Sequence, residues 1–130
     1  MEKFKVLIVD DELDFLEAII TRLQAREVEV AGAESGYKAL EMLDKQDFDV
    51  VILDIKMPGM DGHETLREIK KHKPLVEVIM LTGHASVESG IQCMQLGAFD
   101  YLMKPVGLDE LLDMIRRAYD RKVIQQQEQS

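Results

Sequence analysis

The chain has a single cysteine, Cys93. One thiol excludes an internal disulfide framework and a cysteine-rich zinc site. Long apolar runs are missing too. Stretches such as 6–9 and 50–53 are far too short to span a bilayer. The opening residues Met1-Glu2-Lys3-Phe4 contain no apolar signal core. Positive charge is scarce: 16 Lys and Arg stand against 25 Asp and Glu, a net charge of -9. Nucleic acid and anionic membranes demand clustered positive charge, so direct contact with either by this segment is not expected. A cytoplasmic location is the default. What is present, 130 residues of which 46% are apolar and 32% charged, fits one globular domain able to build its own core.

Short apolar runs recur at 4–9, 28–33, 50–53, 76–81 and 99–103. Most are rich in Val and Ile and read as strands. Val50-Val51-Ile52-Leu53 and Val78-Ile79-Met80-Leu81 do not alternate, as expected of parallel strands covered on both faces. Between the runs lie segments of helical period. Leu13, Leu16, Ile20 and Leu23 mark one face, and Ala39, Leu40 and Leu43 the next. Leu66 and Ile69 mark a short third helix, and Val87, Ile91 and Met94 a fourth. Leu108, Leu111, Leu112, Ile115 and Tyr119 mark the fifth. Ser35 can cap the second helix, and Asp61 with Glu64 resembles a capping box for the third. Gly97 sits where the fourth should stop, and Pro74 follows the third. This alternation predicts a parallel sheet with helices on both faces. The polar tail 125–130 reads as a frayed helix end or the start of a linker, leaving 1–124 as the domain.

Open parallel sheets bind ligands at the carboxyl ends of their strands. There the first strand delivers Asp10-Asp11-Glu12, the third Asp54, the fourth Thr82-Gly83 and the fifth Lys104-Pro105. Each has an ordinary explanation taken singly. Acidic residues at helix starts complement the helix dipole, Asp54 suits a turn, Thr82 a cap, and Lys104 is a solvated charge. Together these readings do less well, because carboxylates crowded in one crevice repel one another and call for a cation. Oxygen ligands of this kind favour Mg²⁺. His63, His72 and His84 read as surface residues, and Cys93 and the methionines as filler.

The segments Val6-Leu7-Ile8-Val9-Asp10-Asp11-Glu12, Leu53-Asp54-Ile55-Lys56-Met57-Pro58-Gly59-Met60-Asp61-Gly62, Leu81-Thr82-Gly83-His84 and Gly97-Ala98-Phe99-Asp100-Tyr101-Leu102-Met103-Lys104-Pro105 resemble, in this order and spacing, the receiver domain of a two-component response regulator. The stretch from Leu81 to Ala85 is most similar to receivers of bacterial enhancer-binding transcription activators. The resemblance implies a doubly wound, flavodoxin-like (βα)5 fold with strand order 2-1-3-4-5. It implies Asp54 as acceptor of a phosphoryl group from a sensor histidine kinase, with Lys104 and Thr82 contacting that group. Asp11, Asp54 and the Lys56 backbone carbonyl are then Mg²⁺ ligands, with Asp10 acting mostly through a coordinated water. The side chains of Lys56 and His84 would tune access of water to the acyl phosphate. Thr82 and Tyr101 would form the switch, and the Lys104–Pro105 bond is often cis in relatives. The fourth helix, fifth strand and fifth helix would offer a face to a second receiver or a target. Gly90 weakens the fourth helix beside that switch.

Such a protein is a signalling switch, not a turnover enzyme. A stand-alone relay without an output domain is the alternative within the family. An aspartate-nucleophile phosphatase commonly has a second Asp two residues after the nucleophile, where this chain has Lys56. A flavodoxin needs a hydroxyl- and Gly-rich phosphate loop after the first strand, where Asp10-Asp11-Glu12 would repel phosphate.

Overall fold

A computed structural model describes residues 4–83 and 86–129. Strands and helices alternate as β1 (Lys5–Val9), α1 (Leu13–Ala25), β2 (Glu29–Ala33), α2 (Gly36–Lys45), β3 (Val50–Leu53), α3 (Gly62–His72), β4 (Glu77–Thr82), α4 (Val87–Gln95), β5 (Asp100–Met103) and α5 (Leu108–Glu128). All strand pairs are parallel, in the order β2-β1-β3-β4-β5. The expected doubly wound fold is thus observed, with the anticipated strand order. Among the described residues, no helix is long and apolar enough to cross a membrane.

The unalternating strands have a direct physical reason. Successive strand side chains point to opposite faces, so a sheet covered on both sides needs apolar residues at every position. Leu7, Val9, Val51, Leu53, Val78 and Met80 face one way, packed with Ala39 and Leu43 of α2, Leu66 and Ile69 of α3 and Cys93 of α4. Val6, Ile8, Val50, Ile52, Ile79 and Leu81 face the other, against Leu16 and Leu23 of α1 and Leu111, Leu112 and Ile115 of α5. Full burial of one such side chain contributes about 1.5–3 kcal/mol.

The expected caps form. Ser35 Oγ accepts from Lys38 N at 3.1 Å, and Asp61 Oδ1 accepts from Glu64 N at 2.9 Å. α3 is longer than the sequence suggests, and α5 continues through Glu128 into the polar tail. The apolar stripe of α4 departs from expectation. Val87, Ile91 and Met94 are exposed, and the buried positions are Gly90 and Cys93. Helical period identifies an apolar stripe, whereas the neighbouring elements decide which stripe is covered, and here β5 takes the Gly90 side.

Candidate functional site

Sheet register brings distant residues to one edge. Val9 pairs with Leu53, so Asp10 and Asp54 leave adjacent strands side by side, and Asp54 N donates to Val9 O at 3.0 Å. Thr82 pairs with Met103, and Lys104 N donates to Thr82 O at 2.9 Å. Asp10, Asp54 and Thr82 are all buried. α3 begins hard against this edge: a Cβ at Gly62 would overlap the Asp54 carbonyl oxygen and the Ile55 Cα, so only glycine permits the approach. Gly62 N donates to Ile55 O at 2.7 Å, holding the loop after Asp54 closed.

Lys104 is the hub. Its Nζ donates to Asp10 Oδ2 at 2.7 Å and to Glu12 Oε1 at 3.1 Å, and lies 3.8 Å from Asp54 Oδ2. The ammonium also stands 4.1 Å from the centre of the Phe15 ring, a cation–π distance. The remaining carboxylate oxygens are held by backbone. Asp10 Oδ1 accepts from Glu12 N at 2.9 Å and Asp54 Oδ1 from Ile55 N at 2.8 Å.

Burial raises the Asp10 pKa, outweighing the hydrogen bonds from Lys104 and Glu12 N, and the nearby Asp54 charge adds to the rise. For Lys104, burial works toward a lower value, but the hydrogen bonds to Asp10 and Glu12 and the surrounding negative charge carry it upward. The ammonium therefore stays charged, and the crevice holds one cation among three carboxylates.

One carboxylate oxygen from each of Asp10, Glu12 and Asp54 lies within 4.8 Å of the others. Hard oxygen donors at this spacing fit a divalent ion such as Mg²⁺, which takes one or two carboxylates and keeps several waters. The half-exposed Asp11 is outside this group, and Glu12 stands in the third place. Sequence reasoning gave Glu12 no role. The available signal was its place directly after Asp10-Asp11, at the strand end where the other acidic residues gather.

The pattern of the response regulator receiver domain matches residues 6–116. The chain belongs to that family. It is 37% identical over 117 residues to the transcriptional regulatory protein ZraR of Escherichia coli K12, covering 90% of this chain and 26% of ZraR. It is 39% identical over 114 residues to the regulatory protein AtoC of the same organism, covering 88% of this chain and 25% of AtoC. The receiver thus spans about a quarter of the length of these relatives. A CheY-like receiver domain protein from Methanospirillum hungatei JF-1 superimposes with a TM-score of 0.90 at 32% identity, covering 95% of this chain and 99% of that one.

Other expected residues of the receiver fall as follows. The Lys104–Pro105 peptide bond is cis. Lys56 is exposed, on the rim of a hollow of about 590 Å³ that also borders Met57, His63, Ser86 and Ser89. His84 lies outside the described residues. His63, expected as a plain surface residue, is half-buried, and its Nε2 stands 3.3 Å from Ser89 Oγ, a hydrogen bond tying α3 to α4.

Tyr101 is half-buried on β5 with its ring against α4. Gly90 is there for space rather than weakness: a Cβ on it would come within 2.7 Å of Tyr101 Cε1 and 3.0 Å of its hydroxyl. Gly90→Ala gains about 1 kcal/mol of helix propensity. Overpacking against the ring costs about 1–3 kcal/mol. The expected net result is a loss of about 1 kcal/mol, the difference of those terms, with the ring displaced outward. Denaturant unfolding and the Tyr101 ring resonances check this. A stabilised variant with unshifted ring resonances contradicts the contact.

Proposed function

We propose that this receiver accepts a phosphoryl group on Asp54 from a phosphohistidine of a sensor histidine kinase and thereby switches a partner surface. The observation that carries the reading is the Lys104 ammonium held 3.8 Å from the buried Asp54 carboxylate, inside a cluster of acidic side chains. An Asp54 oxygen forms the new bond to phosphorus as the donor's N–P bond breaks, and the electron pair leaves with the imidazole nitrogen. The product is an acyl phosphate. Phosphoryl transfer depends mainly on positioning and charge neutralisation. Ile55 N fixes one Asp54 oxygen and leaves the other toward Lys104, whose compact charge suits the phosphoryl oxygens. Mg²⁺ bound by Asp10, Asp11, Asp54 and the Lys56 carbonyl would offset repulsion between the carboxylates and the incoming phosphate. Asp11 takes its part by turning inward.

In this reading Thr82 donates its hydroxyl to the phosphoryl group, and Tyr101 follows into the space that opens. Lys56 and His84 tune attack by water. The groove of about 430 Å³ between Tyr101 and α4, lined by Val87, Gly90, Ile91 and Met94, lies where such a change would be read. The exposed Val87, Ile91, Met94 and Met103 give that face an apolar character suited to a second receiver or a target. The similarity to the transcriptional regulatory protein ZraR favours transcription regulation over a stand-alone relay, and a cytoplasmic setting goes with that reading.

The test is incubation with acetyl phosphate and Mg²⁺, followed by intact mass measurement. One added phosphoryl group is expected, and chelation of the metal should prevent it. No incorporation, or equal incorporation under chelation, overturns the reading.

A further inference from the structure

We infer that Glu12 is a positioning residue that competes with the phosphoryl group for Lys104, setting how readily the site accepts and keeps phosphate. The inference rests on the Asp54 reading above and goes beyond it, since Glu12 belongs to none of the roles given there.

Glu12 occupies the N-cap position of α1, yet its side chain makes no capping hydrogen bond. Ser35, Asp61 and Ser86 at the starts of α2, α3 and α4 all cap with their side chains. The Glu12 carboxylate is instead committed to Lys104 at 3.1 Å. Phe15, one turn along α1, lies under the same ammonium. Asp10, Glu12 and Phe15 thus form a resting place for Lys104, while Asp54 Oδ2 remains at 3.8 Å, beyond hydrogen-bond distance.

The two carboxylates differ in how easily they let go. Asp10 is buried and its other oxygen is fixed by Glu12 N, so it has little freedom. The Glu12 side chain is 63% exposed and can return to water. Glu12 is therefore the adjustable member. A phosphoryl oxygen on Asp54 must draw the ammonium away from it, and an exposed ion pair resists weakly. The expected size of the effect is accordingly modest, about two- to fivefold.

The experiment compares wild type, Glu12→Gln, Lys104→Met and the double variant. One readout is the phosphorylation rate from acetyl phosphate, whose P–O bond breaks as acetate leaves and the Asp54 oxygen bonds to phosphorus. The other is the dissociation constant for beryllofluoride, which occupies the phosphoryl position without chemistry. Glu12→Gln keeps the shape of an exposed side chain that caps nothing, so the fold is not at stake. It should speed phosphorylation and tighten beryllofluoride by about two- to fivefold, and have no effect in the Lys104→Met background. An equal gain in that background shows that Glu12 merely repels anions and overturns the inference. Slower phosphorylation or weaker beryllofluoride binding in Glu12→Gln, both read at saturating Mg²⁺ because Glu12 borders the metal cluster, also overturns it. Asp54→Asn serves as control: if labelling survives there, the Asp54 reading fails and this inference falls with it.

Discussion

Asp54→Asn is expected to reduce phosphorylation to background while leaving the fold intact. Asparagine retains the oxygen that accepts from Ile55 N, a bond of 2.8 Å in a buried position, so the loop after β3 keeps its anchor. What disappears is the anionic oxygen facing Lys104, and a neutral amide is not a competent nucleophile toward phosphorus. Stability should not fall. The charge on Asp54 contributes to the raised pKa of Asp10, and its removal relieves repulsion between two buried carboxylates. Intact mass after acetyl phosphate treatment and thermal unfolding, measured on the same preparation, check both halves. Labelling at the wild-type rate would move the acceptor to another residue.

Lys70→Met is expected to cost about 1–3 kcal/mol of stability, because the buried Glu77 carboxylate loses one cation and keeps only the half-exposed Arg121. Glu77 is 1% exposed at the opposite end of the sheet from Asp54. Its Oε1 lies 3.4 Å from Lys70 Nζ. Arg121 Nε is 3.0 Å from Oε2, but it is not aligned for a hydrogen bond, and that oxygen has no hydrogen-bond partner. Lys70 Nζ also donates to the exposed Pro74 O at 3.0 Å and to Val76 O at 2.8 Å in a part-buried bond, so its loss also takes that donor from Val76 O. Burial pulls the Lys70 pKa below its ordinary value despite the Glu77 charge, so the pair does not fully repay its desolvation. The double variant Lys70→Met, Glu77→Met should therefore recover most of the loss. Urea unfolding of the three proteins decides it. A single variant within about 1 kcal/mol of wild type would contradict the argument.

Much of this was legible in the residues alone. The unbroken apolar runs at 50–53 and 78–81 implied a sheet covered on both faces, and the strand-end rule then gathered Asp10, Asp54, Thr82 and Lys104. That reasoning needs only local pattern and topology. It failed where the answer depends on which neighbour arrives. The α4 stripe of Val87, Ile91 and Met94 has a clean helical period but meets no covering element among the described residues, and Gly90 looked like a flaw because its partner is a ring eleven positions away. The tie from His63 to Ser89 has the same origin. Glu77 was different: a charge inside an apolar strand is a signal in its own right, pointing to a buried counter-charge.

The anchoring of α5 divides the molecule mechanically. Lys122 Nζ bonds Asp49 Oδ1 at 2.5 Å, Arg121 stands on Glu77, Arg26 just past the end of α1 meets Asp109 at 3.0 Å, and the Tyr119 and Phe4 rings lie 5.4 Å apart. These ties grip α5 at both ends, while among the described residues α4 rests on a ring, a thiol and a His–Ser bond. α5 is thus a strut and α4 a spring. A load applied at the crevice is expected to deform α4 first and to leave the long axis of α5 where the sheet puts it.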